Sequence, residues 1–187
     1  MNDNIIAICG IDTDVGKTIV TGILAKGLLD SNIKTITQKI VQTGGDSISD
    51  DILVHRRLMG IHLQKDDEKE LTFPYVFKKP CSPHLAAKLE NREVEPAIID
   101  KATSFLSKKY DIVLLEGAGG VMVPLNDSKL FIDYIRERKY PVILVTTPKV
   151  GSINHTLMTI EVLRSRGIEI IGIVYNTHGY DDKTVLE

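Results

Sequence analysis

Cysteine is scarce. Cys9 and Cys81 are the only two in 187 residues, and they form no C-x-x-C pair. That excludes a disulfide framework and a zinc ribbon. Cys9 lies in an apolar run and reads as a core residue. The thiol usage suits a reducing compartment, so a cytoplasmic protein is expected. Neither sign of charge is in excess, with 23 Lys and Arg against 25 Asp and Glu and a net charge of −2. Such a chain has no general attraction to nucleic acid or anionic lipid, although a local basic pocket stays open to it. Long apolar runs are missing as well. Ile112 to Leu115 and Val142 to Val145 fall far short of the ~20 residues that span a bilayer. The start, Met1-Asn2-Asp3-Asn4, has no basic region ahead of an apolar stretch, so no secretory signal is expected. There is no repeat, low-complexity tract or long Gly/Ser/Pro linker. A single domain over residues 1–187 is expected, long enough to bury an extensive core.

What is present is an alternation of strand and helix patterns. Ile5 to Cys9 is a short apolar run that ends at Gly10. Lys17 to Leu29 predicts a helix, with Val20, Ile23, Leu24 and Leu28 near helical spacing. Ile33 to Gln38 predicts a second strand and Asp51 to Met59 a helix. Phe73 to Pro83 holds three prolines and reads as an irregular loop. Pro96 to Lys108 predicts a helix with Ile98, Ile99, Ala102, Phe105 and Leu106 on one face. Ile112 to Glu116, Val142 to Thr146 and Ile170 to Tyr175 are near-continuous apolar runs, as in parallel strands buried on both faces. Between the last two, Ile153, Leu157, Ile160 and Leu163 repeat at helical spacing. The sum predicts an open, doubly wound, mostly parallel α/β sheet with helices on both faces. Ligands of such sheets sit at the carboxyl ends of the strands.

The first strand end carries Gly10-Ile11-Asp12-Thr13-Asp14-Val15-Gly16-Lys17-Thr18. This matches G-x-x-x-x-G-K-[ST] in the strand-to-helix context that the P-loop requires. Its glycines let several backbone N–H groups face one anion, and the following helix presents its positive end. Lys17 can reach the β and γ phosphates, and the Thr18 hydroxyl can ligate Mg²⁺. The motif specifies a nucleoside triphosphate but neither the base nor the reaction.

Other strand ends are less specific when taken singly. Lys39, after the second strand, fits a solvated surface lysine or a second cation over the phosphates. Glu116-Gly117-Ala118-Gly119-Gly120 closes the third strand, where P-loop proteins place a metal-associated carboxylate; a glycine-rich turn is the plainer reading. Asp50 and Asp51 fit a helix N-terminus or a second metal carboxylate. Ser82-Pro83-His84 starts a short helix, with His84 either a base or structural. Gly151-Ser152-Ile153-Asn154-His155 opens a helix able to hold an anion.

Taken in order along nearly the whole chain, these segments resemble the dethiobiotin synthetase family, the ATP-dependent carboxylases of biotin biosynthesis. The resemblance is carried by the P-loop in its Thr13-Asp14-Val15-Gly16-Lys17-Thr18 form, Lys39 with Thr43-Gly44, Ser49-Asp50, Ser82-Pro83-His84, Glu116 to Gly120, Pro141 to Val145, Gly151 to His155, and Asn176. It implies a P-loop NTPase fold and a reaction that joins CO₂ to 7,8-diaminononanoate and closes a cyclic urea while ATP is hydrolysed. An amine captures CO₂ as a carbamate, the γ-phosphoryl moves to a carbamate oxygen, and the second amine attacks that anhydride. By the same resemblance Lys17, Lys39 and Thr13 are catalytic, and Thr18, Asp50 and Glu116 hold Mg²⁺. Asp14, Val15, Gly16, Ile19, Gly117, Ala118, Gly119 and Asn176 join them around the nucleotide, with Asn176 at the base. Thr13, Thr43, Ser82, Gly151, Ser152 and Asn154 take the diamine, the last three from the partner subunit of a homodimer.

The chain departs from the family at Lys39-Ile40, where a proline usually follows the lysine, and at Asp14, where many relatives carry Glu. It stops at Glu187, soon after Asn176, where relatives commonly continue with a strand and a base-contacting loop. Adjacent Asp50 and Asp51 leave open which of the two faces the metal. The competing class is a P-loop switch ATPase of the partition and septum-positioning type, acting through a protein partner. Such proteins usually carry an extra lysine early in the P-loop, where this chain has Ile11, Asp12 and Thr13.

Overall fold

The computed structural model describes residues 4–179. The chain begins with strand β1 (Ile5–Gly10), helix α1 (Lys17–Asp30), β2 (Thr35–Lys39) and the short β3 (Gln42–Thr43). It continues through α2 (Asp50–Met59), the single turn α3 (Lys65–Glu68), the short β4 (Val76–Phe77), α4 (Pro83–Leu89) and α5 (Pro96–Lys109). Last come β5 (Ile112–Gly120), α6 (Phe131–Arg138), β6 (Val142–Thr146), α7 (Ser152–Ser165) and β7 (Ile170–Tyr175).

Five strands form one sheet in the order β2-β5-β1-β6-β7, and every pairing in it is parallel. Side chains alternate across it. Val113 and Leu115 join an apolar cluster with Ile36, Leu106 and Phe131, whereas Leu114 joins Ile8, Val20 and Val145 in another. Successive residues of one strand thus feed two cores, which is why the strands read as unbroken apolar runs. The chain leaves β1 in one direction to reach β2 and returns to the other side for β6, so the strand order reverses beside β1. A crevice opens at its carboxyl end, where ligands of doubly wound sheets lie.

Three sequence expectations change. Phe73 to Pro83 is not irregular throughout, because Val76 and Phe77 pair in parallel with Gln42 and Thr43. Tyr75 and Phe77 are buried and stack with ring centroids 5.8 Å apart, and this alternation outweighs the flanking prolines. The glycines after Glu116 continue as strand to Gly120 instead of turning away. A side chain at Gly117 would collide with the Phe131 ring, so glycine there lets α6 pack against the strand. Finally, β7 is not buried on both faces: Ile171 and Ile173 are 47% and 51% exposed, although β2 at the opposite edge of the sheet is buried throughout, so what differs is the cover over one face of β7. On α7, Leu163 reaches the core while Ile153 and Leu157 are exposed.

Candidate active site

The loop between β1 and α1 is fixed by backbone chemistry. Asp14 and Gly16 both adopt positive φ, 58° and 92°, which turns successive N–H groups towards one point. A side chain on Gly16 would also strike the Asn176 amide. Lys17 is buried, and its Nζ donates to the Asp12 carbonyl at 2.8 Å. Burial, and then the Lys39 charge, lower its pKa to about 8.

Lys39 ends β2 beside Glu116 of β5, its register partner. Its Nζ donates to Glu116 Oε1 at 2.9 Å and the Gly117 carbonyl at 3.0 Å, and lies 2.6 Å from Asp51 Oδ2. Burial alone would lower the Lys39 pKa, but Glu116 and Asp51 outweigh it and hold the ammonium above its usual range. Burial would likewise raise that of Glu116, yet the Lys39 charge and a hydrogen bond from His55 hold its carboxyl far below the usual carboxylate range. Thr18 Oγ1 donates towards Asp51 Oδ1 at 3.0 Å and Glu116 Oε1 at 3.2 Å.

Thr13, Asp14, Gly16, Lys17, Thr18, Ile19, Lys39, Thr43, Asp51, Glu116, Ala118 and Gly119 therefore line one cleft of about 440 Å³. Through Thr13, Thr43, Ala118 and Gly119 it adjoins a groove of about 430 Å³ that also has Cys81 and Ser82 in its wall. Other expected residues lie elsewhere. Asp50 is exposed at the start of α2, and the carboxylate beside Thr18 and Lys39 belongs to Asp51. The reason is helical register: Asp51 sits one turn before buried His55, whereas Asp50 sits one turn before the half-exposed Val54. Ser152 faces the outer side of the P-loop, in a hollow of about 230 Å³ with Asp12, Thr13 and His155. Gly151 and Asn154 are exposed at the same helix start. Asn176 donates to the Val15 carbonyl at 3.0 Å and accepts from the His178 N–H at 3.2 Å. His84 lines a separate cavity of about 150 Å³ with Lys88 and Arg92, which leaves the reading of it as a base without support.

Sequence reading also missed the supports. Ser49 caps α2 through the Ile52 N–H at 3.3 Å and donates to Gln42 Oε1 at 2.8 Å. His55 and Arg56, both buried, face β2 and β5. Their signal was the helical spacing of Ile52 and Met59, seven residues apart in α2, which puts His55 and Arg56 between them on the same face.

The donor set suits Mg²⁺, a hard cation that takes one or two carboxylates together with substrate phosphates. Thr18, Asp51 and Glu116 supply three oxygens around one point. Among the described residues no group of three or more acidic, histidine or cysteine side chains is placed to hold a metal ion.

A parallel sheet with a P-loop at the carboxyl end of its central strand, two lysines and two carboxylates in one cleft defines a P-loop nucleotide-binding protein. A family profile described as AAA domain matches residues 4–186. The fold is shared with a ParA family ATPase from Chlorobium tepidum, at TM-score 0.57 and 15% identity over 97% of this chain and 76% of that one. It is shared too with the kinase domain of the Escherichia coli tyrosine kinase ETK, at TM-score 0.54 and 17% identity over 95% and 68%. Sequence similarity is far closer to proteins named ATP-dependent dethiobiotin synthetase. The BioD 2 protein of Haemophilus influenzae is 54% identical over 97% of this chain and 94% of its own length. The BioD protein of Chlorobaculum tepidum is 49% identical over 99% and 77%. The chain belongs to the family of ATP-dependent dethiobiotin synthetases.

Proposed function

We propose that this chain carboxylates 7,8-diaminononanoate with CO₂ and closes the product to dethiobiotin, with ATP as co-substrate. The observation that carries the reading is the convergence of Lys17 and Lys39 on one cleft that adjoins a groove large enough for a second substrate. Phosphoryl transfer requires mostly positioning and charge neutralisation. The N–H groups of the P-loop and Lys17 hold the phosphates. Lys39 faces the γ-phosphoryl and the carbamate oxygen that receives it, where negative charge accumulates. Thr13 and Thr43 hydrogen-bond the diamine or its carbamate. Once the carbamic-phosphoric anhydride has formed, the second amine attacks its carbon and phosphate leaves. Thr18, Asp51 and Glu116 would hold Mg²⁺, which would supply charge neutralisation at the phosphates.

The active unit is a homodimer in this reading. Ile153 and Leu157 of α7 are 78% and 62% exposed, which suits a subunit interface at the helix whose start would receive the partner's substrate carboxylate. The balanced charge and the absence, among the described residues, of a helix able to cross a membrane fit a cytoplasmic enzyme. The alternative of a partition-type switch ATPase has only the shared fold in its favour.

Incubation with diaminononanoate, bicarbonate, ATP and Mg²⁺, followed by mass spectrometry, tests the reaction. Dethiobiotin and ADP are expected in equal amounts. No dethiobiotin at high enzyme concentration would overturn the assignment.

A further inference from the structure

Glu116 uses its two oxygens differently. Oε1 faces the cleft, within reach of Thr18 and Lys39. Oε2 faces away from it and is met by His55 Nε2 at 2.9 Å, with both side chains fully buried. The opposite ring nitrogen, Nδ1, lies 3.0 Å from Thr37 Oγ1. That hydroxyl also accepts from Arg56 Nη1 at 2.7 Å, and Arg56 in turn is held by Asp67 through Nε at 2.9 Å and Nη2 at 2.8 Å.

With a neutral imidazole, the donors and acceptors of this chain run in one direction. An ionised carboxylate only accepts and a guanidinium only donates. Arg56 therefore gives a hydrogen to Thr37, the Thr37 hydroxyl gives its own to His55 Nδ1, and Nε2 carries the ring proton towards Glu116. This tautomer is assigned from the hydrogen-bond partners. It satisfies both ring nitrogens and leaves Oε2 committed to the rear of the site.

We propose that His55 is the positioning residue for Glu116, anchoring Oε2 so that Oε1 is presented to the magnesium ion of the bound nucleotide. Removal of an outer partner of a metal ligand typically costs 10–100-fold in metal affinity. His55 touches neither substrate nor nucleotide cleft, and its effect passes wholly through the orientation of one carboxylate. The inference rests on the proposed role of Glu116 as a magnesium ligand.

Two isosteres separate the two ends of the ring. In His55→Gln the amide nitrogen falls where Nε2 was, so the contact to Glu116 is kept. In His55→Asn the shorter amide can reach only the Thr37 side. His55→Leu removes both contacts. The primary readout is binding of Mn²⁺ to the enzyme with ADP, followed by electron paramagnetic resonance and calorimetry. Expected is a rise in the Mn²⁺ dissociation constant of about tenfold or more in the Asn and Leu variants, with most of the affinity recovered in Gln. In turnover, the Mg²⁺ concentration for half-maximal rate rises in parallel and the KM for diamine stays put. Equal Mn²⁺ affinity in the Asn and Gln variants would overturn the proposal, because a purely structural histidine predicts no difference between them. That comparison decides even where His55→Leu fails to fold. Wild-type enzyme that binds Mn²⁺ and ADP but forms no dethiobiotin refutes the proposed reaction while leaving the His55 test intact.

Discussion

At the scale of single residues, charge placement dominates the site. Lys39 is a buried ammonium whose partners are Glu116, Asp51 and a carbonyl. A cation so fixed costs no reorganisation when charge moves onto a carbamate oxygen. Lys39→Ala should lower kcat by about 10²–10³-fold, the usual cost of one lost transition-state donor, while circular dichroism stays native. Near-normal turnover in that variant would remove Lys39 from the reaction. The two adjacent aspartates provide a sharper comparison. Asp51→Asn should raise the Mg²⁺ requirement about tenfold or more, and Asp50→Asn should leave it near wild type; magnesium titrations of initial rate distinguish them. A stronger effect at Asp50 would return the metal role to that residue.

At the scale of elements, α2 is the part that ties the site to the fold. Ser49 and Gln42 fix its start, and Arg56 joins it to α3 and β2 through Asp67 and Thr37. The Arg56–Asp67 pair is almost wholly buried, at 3% and 1% exposure. Removing one partner strands a charge and typically costs about 3–5 kcal/mol. Arg56→Met should therefore unfold at markedly lower urea than wild type. The loss also has a pH signature. Burial alone would raise the Asp67 pKa, but Arg56, the Gln64 N–H and the Thr72 hydroxyl outweigh it and lower it below the usual value. A depressed folded-state pKa contributes stability above the unfolded value of about 4 and loses it as pH falls through the depressed value. The gap between wild type and Arg56→Met should narrow below pH about 4 in urea melts. A gap independent of pH would show that packing, not the ion pair, carries the loss.

For the whole molecule, the question is what lies against α7 and β7. Ile153, Leu157, Ile171 and Ile173 are large apolar side chains left exposed by a single chain, and burial of such surface drives association. Sedimentation should give about twice the chain mass of 20.8 kDa. Leu157→Glu should shift the protein towards monomer and weaken diamine binding, with nucleotide binding nearly unchanged because the P-loop cleft lies within one chain. A fully active monomer would refute the shared-site reading.

The local pattern of residues was enough for much of this. Glycine and lysine spacing between an apolar run and a helix marks the P-loop, because only that backbone path points successive N–H groups at one anion. Uninterrupted apolar runs mark the buried strands β5 and β6, since a parallel sheet covered on both faces needs no polar alternation. Three things required the folded chain. The choice of Asp51 over Asp50 depends on how α2 is rotated about its axis, which packing against β2 and β5 sets. The half-exposed face of β7 depends on what the folded chain packs against it, which an apolar run does not encode. The role of His55 exists only because β5 brings Glu116, distant in the chain, to the inner face of α2. Local sequence specifies backbone path and apolar period, whereas the pairing of buried polar groups depends on which distant residues tertiary packing brings within hydrogen-bonding reach.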